Sequence, residues 1–114
     1  MPNFDMEIIE GDSDKPNAHT SIGAIIEHIT TLRMQTRDRA ARRELGLLYR
    51  KYSQLLQKKI DEVVDKDSQD YLKITGQLEK ANESIQAAIA GTEQVANTLN
   101  FLTDAIQTIT ELAS

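Results

Sequence analysis

In the C-terminal part of the chain, apolar and small residues recur in alternating steps of three and four. They are Tyr71, Ile74, Leu78, Ala81, Ile85, Ala88, Thr92, Val95, Leu99, Leu102, Ile106, Ile109 and Ala113. That spacing sets every named side chain on one stripe of an α-helix. No proline interrupts the run, and at about 1.5 Å per residue an unbroken helix over it would be roughly 65 Å long. Such a helix needs a partner along most of its length.

Upstream there are two stripes. The first is Ile22, Ile25, Ile26, Ile29 and Leu32 or Arg33; the second is Met34, Ala41, Leu45, Leu48, Tyr52, Leu55 or Leu56, Ile60 and Val63. At about 100° per residue the two differ by roughly a third of a turn. They meet in the polar, Arg-rich stretch 33–43. Nothing there is a strong breaker, which favours one continuous helix with a shifted face over a bend or break. Thr20 or Ser21 supplies an N-cap hydroxyl for this arm, since such side chains satisfy free backbone N–H groups. Asp67 or Ser68 starts the next arm, and Asp67 with Asp70 resembles a capping box.

The expected fold is all-α: a long antiparallel, coiled-coil-like helical hairpin over residues 21–114. Its helices run at about 21–65 and about 68–113, with a turn at about 65–69. That turn sets Gly46 near residues 87–91, so that large side chains face small ones, and makes Gly91 a close-packing glycine within a helix. Ala87, Ile89, Ala96, Phe101, Ala105 and Leu112 widen the C-terminal stripe beyond what one partner covers. The expectation is a homo-oligomer, first of all a dimer forming a four-helix bundle, or a complex with another helical protein.

Composition supports an elongated helical chain. Its 114 residues include no Trp, two Phe and three Tyr. Both prolines, Pro2 and Pro16, precede the first stripe. Residues 1–20 read as a disordered acidic tail, with Asp5, Glu7, Glu10, Asp12 and Asp14, no basic residue before Lys15, and a small apolar patch of Met6, Ile8 and Ile9. Cysteine is absent, so no disulfide or thiolate chemistry arises. The acidic first ten residues lack the basic and apolar regions of a cleavable signal, and no stretch approaches the roughly 20 apolar residues that span a bilayer. A cytoplasmic protein, or one exported without a cleaved signal, is expected.

Candidate chemistry is sparse. Asp65, Asp67, Gln69 and Asp70 suggest a calcium loop, but Asp70 and Gly76 stand where an EF-hand has Gly and Glu. A capped turn accounts for them better. His19 and His28 have no second ligand at helical spacing. The carboxylates Asp61, Glu62 and Asp65 are ordinary on a solvated helix. No catalytic residue, metal ligand or cofactor is expected.

Charge is distributed unevenly. Residues 33–59 hold Arg33, Arg37, Arg39, Arg42, Arg43, Arg50, Lys51, Lys58 and Lys59 against Asp38 and Glu44, while the whole chain has a net charge of −5. A basic patch of Arg39, Arg42, Arg43, Arg50 and Lys51 is assigned to partner choice by charge. These arginines are expected to spread around much of the helix, where a solvated face paired with acidic residues on the neighbouring helix, or with the acidic tail, explains them better than phosphate binding does.

The expected function is a non-enzymatic helical interaction or assembly module. Leu78, Ile85, Val95, Leu99, Leu102, Ile106 and Ile109 form its association seam. In size and architecture the chain resembles small exported helical hairpins with a Trp-x-Gly turn, and helical subunits or adaptors of bacterial secretion systems. Lys66, Asp67 and Ser68 stand at its turn instead. The alternative is a nucleic-acid-binding regulator using residues 33–59, with Tyr49 and Tyr52 stacking on bases.

Overall fold

The computed structural model describes residues 17–113. The expected tail therefore lies almost wholly outside the described residues. Helix α1, Ala18–Gln35, starts at Asn17, whose side chain accepts a hydrogen bond from the Thr20 N–H at 2.8 Å. The start thus falls before Thr20 and Ser21, and Asn17 does the capping.

The first long arm is broken. Thr36 is extended, and its hydroxyl and N–H both donate to the Leu32 carbonyl, at 2.7 and 2.9 Å. Asp38 then accepts from the Ala41 N–H at 2.8 Å and opens α2, Arg39–Lys58. A carboxylate that caps a new helix ends the old one without glycine or proline. The arm breaks again at Lys59, whose φ of 54° is left-handed, before the single turn α3, Ile60–Val63. Ser68, rather than Asp67, caps α4, Gln69–Ile89, accepting from the Tyr71 N–H at 3.1 Å.

The second long arm is broken as well. Gly91 has φ of 85°. The Thr92 N–H donates to the Ala87 carbonyl at 2.8 Å, and the Gly91 N–H to Ala88 at 3.1 Å. This pair of bonds around a left-handed glycine is the Schellman ending of a helix. Helix α5, Val95–Leu112, follows. A regular ladder records spacing only, so it passes through this turn undisturbed. Thr92, a rung of that ladder, is exposed in the turn.

Two long arms therefore become two shorter hairpins, α1–α2 and α4–α5, in an all-α bundle with no strand among the described residues. Helix α1 packs on α2 and α4, and α5 packs on α4 and α2. Ala18 lies by Tyr71 and His28 by Asn82, so α1 and α4 run the same way. The hairpins thus stack in register side by side, like consecutive units of a helical repeat.

The stripes hold within the helices, but Met34 and Val63, the two ends of the second stripe, are exposed because the chain breaks beside each of them. Ile22, Ile25, Ile29 and Leu32 on α1 meet Leu45, Leu48, Tyr52 and Leu55 on α2, with Ile74, Leu78, Ile85, Leu102 and Ile109 from the second hairpin. Burying each such side chain contributes roughly 1.5–3 kcal/mol. The inward rungs of the C-terminal stripe are covered by the chain's own α1 and α2, while Ala96 and Phe101 of its widened flank stay exposed. Gly46, placed near residues 87–91 by a long hairpin, has the Arg33 side chain of α1 as its neighbour.

Polar ties pin the elements. The Tyr52 hydroxyl, fully buried, donates to the Leu102 carbonyl at 2.7 Å. Ser84 and Thr98 hydroxyls pair at 2.8 Å between α4 and α5. At the base, Asp61 accepts from the Ala18 and His19 N–H groups at 3.3 and 3.1 Å and from the Tyr71 hydroxyl. A carboxylate from α3 thereby meets the positive end of the α1 dipole.

Candidate interaction surface

The outer side of α2 is built by a second periodicity. Leu45, Leu48, Tyr52 and Leu55 face the core. Arg39, Arg43, Gly46 and Arg50 recur in steps of four, three and four on the opposite side. Gly46 leaves a dip in that stripe. A Cβ there would lie 3.3 Å from Nη2 and 3.4 Å from Cζ of Arg33, so the glycine lets the Arg33 side chain cross from α1 onto α2. The resulting open groove is lined by Arg33, Arg39, Arg42, Arg43 and Arg50, with Leu47 and Tyr49. Beside it, Met34 and Thr30 of α1 complete a hollow with Arg33, Arg42 and Tyr49.

Arg33, Arg39, Arg42, Arg43 and Arg50 thus share one surface instead of circling the helix, while Arg37 lines the cleft on the other side. Of the expected patch, Arg39, Arg42, Arg43 and Arg50 line this groove, whereas Lys51 is exposed outside its lining. The expectation omits Arg33, Gly46, Leu47 and Met34. The four-three-four recurrence opposite the apolar stripe is the signal that finds Gly46; the crossing of Arg33 needs the α1–α2 turn.

Two features set this surface apart. Like charges three or four residues apart destabilise a helix by about 0.2–0.5 kcal/mol per pair, so Arg39, Arg42 and Arg43 are not explained by stability. The neighbouring carboxylates are directed elsewhere: Asp38 caps α2, and Glu44 lines a cleft on the other side with Leu32 and Ala41. The surface also carries apolar side chains in water, with Met34 82%, Leu47 49% and Tyr49 42% exposed. Exposed apolar groups ringed by charge mark interaction sites more often than plain solvated faces.

The expected association seam lies elsewhere. Leu78, Ile85, Leu102 and Ile109 are fully buried inside the chain, while Val95, Leu99 and Ile106 are half-buried against the same core. Val95 and Leu99 line the cleft where α2 and α5 part, together with Ala41 and Ala88.

The ionisable groups inside the bundle are structural in their contacts. Burial pushes the Tyr52 hydroxyl far above the ordinary tyrosine range. Tyr71 is raised by desolvation and then by its hydrogen bond to Asp61. The His28 Nδ1 pairs with the Asn82 Oδ1 at 2.9 Å. The Asp65 side chain accepts from the Asp67 N–H at 3.0 Å, a turn contact. Among the described residues no group of three His, Asp or Glu side chains is placed to hold a metal ion, and no helix is long and apolar enough to cross a membrane.

Comparison with protein-family models, curated proteins and solved structures finds no match to this chain.

Proposed function

We propose that the chain is a non-enzymatic helical interaction module, of the adaptor or small-subunit kind, whose working surface is the arginine groove of α1 and α2. One observation carries this reading. Five guanidinium groups and the exposed Met34, Leu47 and Tyr49 share a single surface of a bundle whose core is otherwise filled by its own helices. The partner that suits it is a protein segment bearing carboxylates and apolar side chains together. Guanidinium groups bind carboxylates in paired hydrogen bonds, and the apolar side chains add burial.

Fluorescence anisotropy with short synthetic peptides tests this. Peptides rich in both acidic and apolar residues should bind, those with either alone should bind weakly, and Arg42→Glu with Arg43→Glu should abolish binding. Binding that survives the charge reversal would overturn the assignment.

A second reading has one observation in its favour. Tyr49 is exposed beside Arg33 and Arg42, as a base-stacking residue among phosphate ligands would be. Tyr52 is buried and unavailable for stacking. A duplex bound through five arginines should lose affinity with a log–log salt slope of roughly −4 to −5. Absence of binding to duplex and single strand at low salt removes this reading.

A further inference from the structure

The groove's chemistry has a counterpart within the same chain. Residues 5–14 read Asp5, Met6, Glu7, Ile8, Ile9, Glu10, Gly11, Asp12, Ser13 and Asp14. Five carboxylates stand there against five arginines on the groove, namely Arg33, Arg39, Arg42, Arg43 and Arg50. Met6, Ile8 and Ile9 are interleaved with the acids, as Met34, Leu47 and Tyr49 are interleaved with the arginines. Both the charge and the apolar component are matched.

The reach is sufficient. The described chain begins at Asn17, at the base of α1. Arg33 lies fifteen residues further along that helix than Ala18, a rise of about 22 Å. Arg50 is nearer, eight residues before the lower end of α2 at Lys58, or about 12 Å. Residues 11–16, extended, span up to about 20 Å, which would bring residues 5–10 to Arg50 and Arg43 and lead Asp12 and Asp14 along the approach to them.

We propose that residues 5–14 dock on the arginine groove of their own molecule and occupy it against other acidic partners. This rests on the reading of the groove as an interaction surface and adds its regulation. Tethering by a short linker gives the segment an effective concentration on the order of 1 mM. A contact with an intrinsic dissociation constant of about 0.1 mM is then roughly nine-tenths formed, and a competitor's apparent affinity falls about tenfold. The closed and open forms would exchange readily, and salt would favour the open one.

The test keeps the full chain. A fluorescent peptide of residues 1–16 is titrated against the native protein and against a variant with Asp5→Asn, Glu7→Gln, Glu10→Gln, Asp12→Asn and Asp14→Asn. Circular dichroism checks that both proteins are equally helical. The neutralised variant should bind the peptide about tenfold more tightly than the native chain. Adding Arg42→Glu and Arg43→Glu to the variant should abolish that binding. Equal affinity for both proteins overturns self-occupancy. If the variant ignores this peptide yet binds other acidic-apolar peptides through Arg42 and Arg43, self-occupancy fails and the interaction surface stands. If it binds none of them, both readings fall.

Discussion

The first hairpin carries nine basic residues between Arg33 and Lys59, and the second carries none after Lys80. Both turn within a few residues and both present an apolar stripe to the same core. They differ in how they turn and in what they show to water. The first is ended and restarted by the carboxylate of Asp38; the second by the left-handed Gly91. Outside the core, α2 presents arginines and apolar side chains, whereas α5 presents mainly Thr, Asn, Gln and Asp. Core patterning thus determines that two hairpins stack, and leaves their outer faces free to diverge. One hairpin supplies support, and the other the surface assigned to binding.

The strongest way to break this comparison is through the shared core. Leu102→Ala removes a fully buried side chain and should destabilise the protein by about 2–5 kcal/mol. Leu99→Ala, at a half-buried position bordering the α2–α5 cleft, should cost about 1–2 kcal/mol, less because its surface is already partly wet. Urea denaturation of both variants measures the difference. Equal losses would mean that the two positions are covered alike, as in an intermolecular seam.

The turns come next. Gly91→Ala forces a side chain into φ of 85° and should destabilise by about 1–2 kcal/mol. Gly76→Ala, within α4 and with no atom within 4 Å of the added Cβ, should stabilise by nearly 1 kcal/mol. Thermal melts of the two variants should shift in opposite directions. A long unbroken second arm would instead have both substitutions stabilise.

The smallest effect concerns the tie between hairpins. Tyr52→Phe deletes the hydrogen bond to Leu102 and should cost about 0.5–1.5 kcal/mol. Its pH signature is sharper. The hydroxyls of Tyr52 and Tyr71 are both raised in the folded protein, chiefly by desolvation. Unfolded tyrosines therefore ionise first. The stability these hydroxyls contribute is complete below about pH 10 and is lost as pH climbs toward their folded values. Tyr52→Phe should flatten that alkaline decline, measured as denaturation midpoint against pH.

Helical class and core positions were legible because both follow from spacing. Ile74, Leu78, Ile85, Leu102 and Ile109 face inward wherever the helix ends. The ends were less legible, because spacing carries no information about them. A third-of-a-turn shift between stripes did mark the 36–38 break, but the absence of Gly and Pro argued the other way, and the capping capacity of Asp38 decided it. At Gly91 the periodicity outweighed a glycine followed by polar Thr92, Glu93 and Gln94, the usual composition just past a helix end. The arginine surface was legible only in part: Arg39, Arg42, Arg43 and Arg50 stand out as a patch yet are expected to spread around the helix, although steps of four, three and four set Arg39, Arg43, Gly46 and Arg50 on one side. Arg33 reaches it only because the chain reverses at residues 36–38.

Asp61 has a temporal consequence. It binds the leading amides of α1 from forty-three residues downstream of Ala18, and Tyr71 joins it from ten residues further on. On a ribosome adding about 5–20 residues per second, the first helix waits roughly 2–9 s for the carboxylate that receives it. Until then the opening turn of α1 has Asn17 alone. The N-terminal half therefore has no finished state of its own during synthesis, and after release the two hairpins should melt as one cooperative unit.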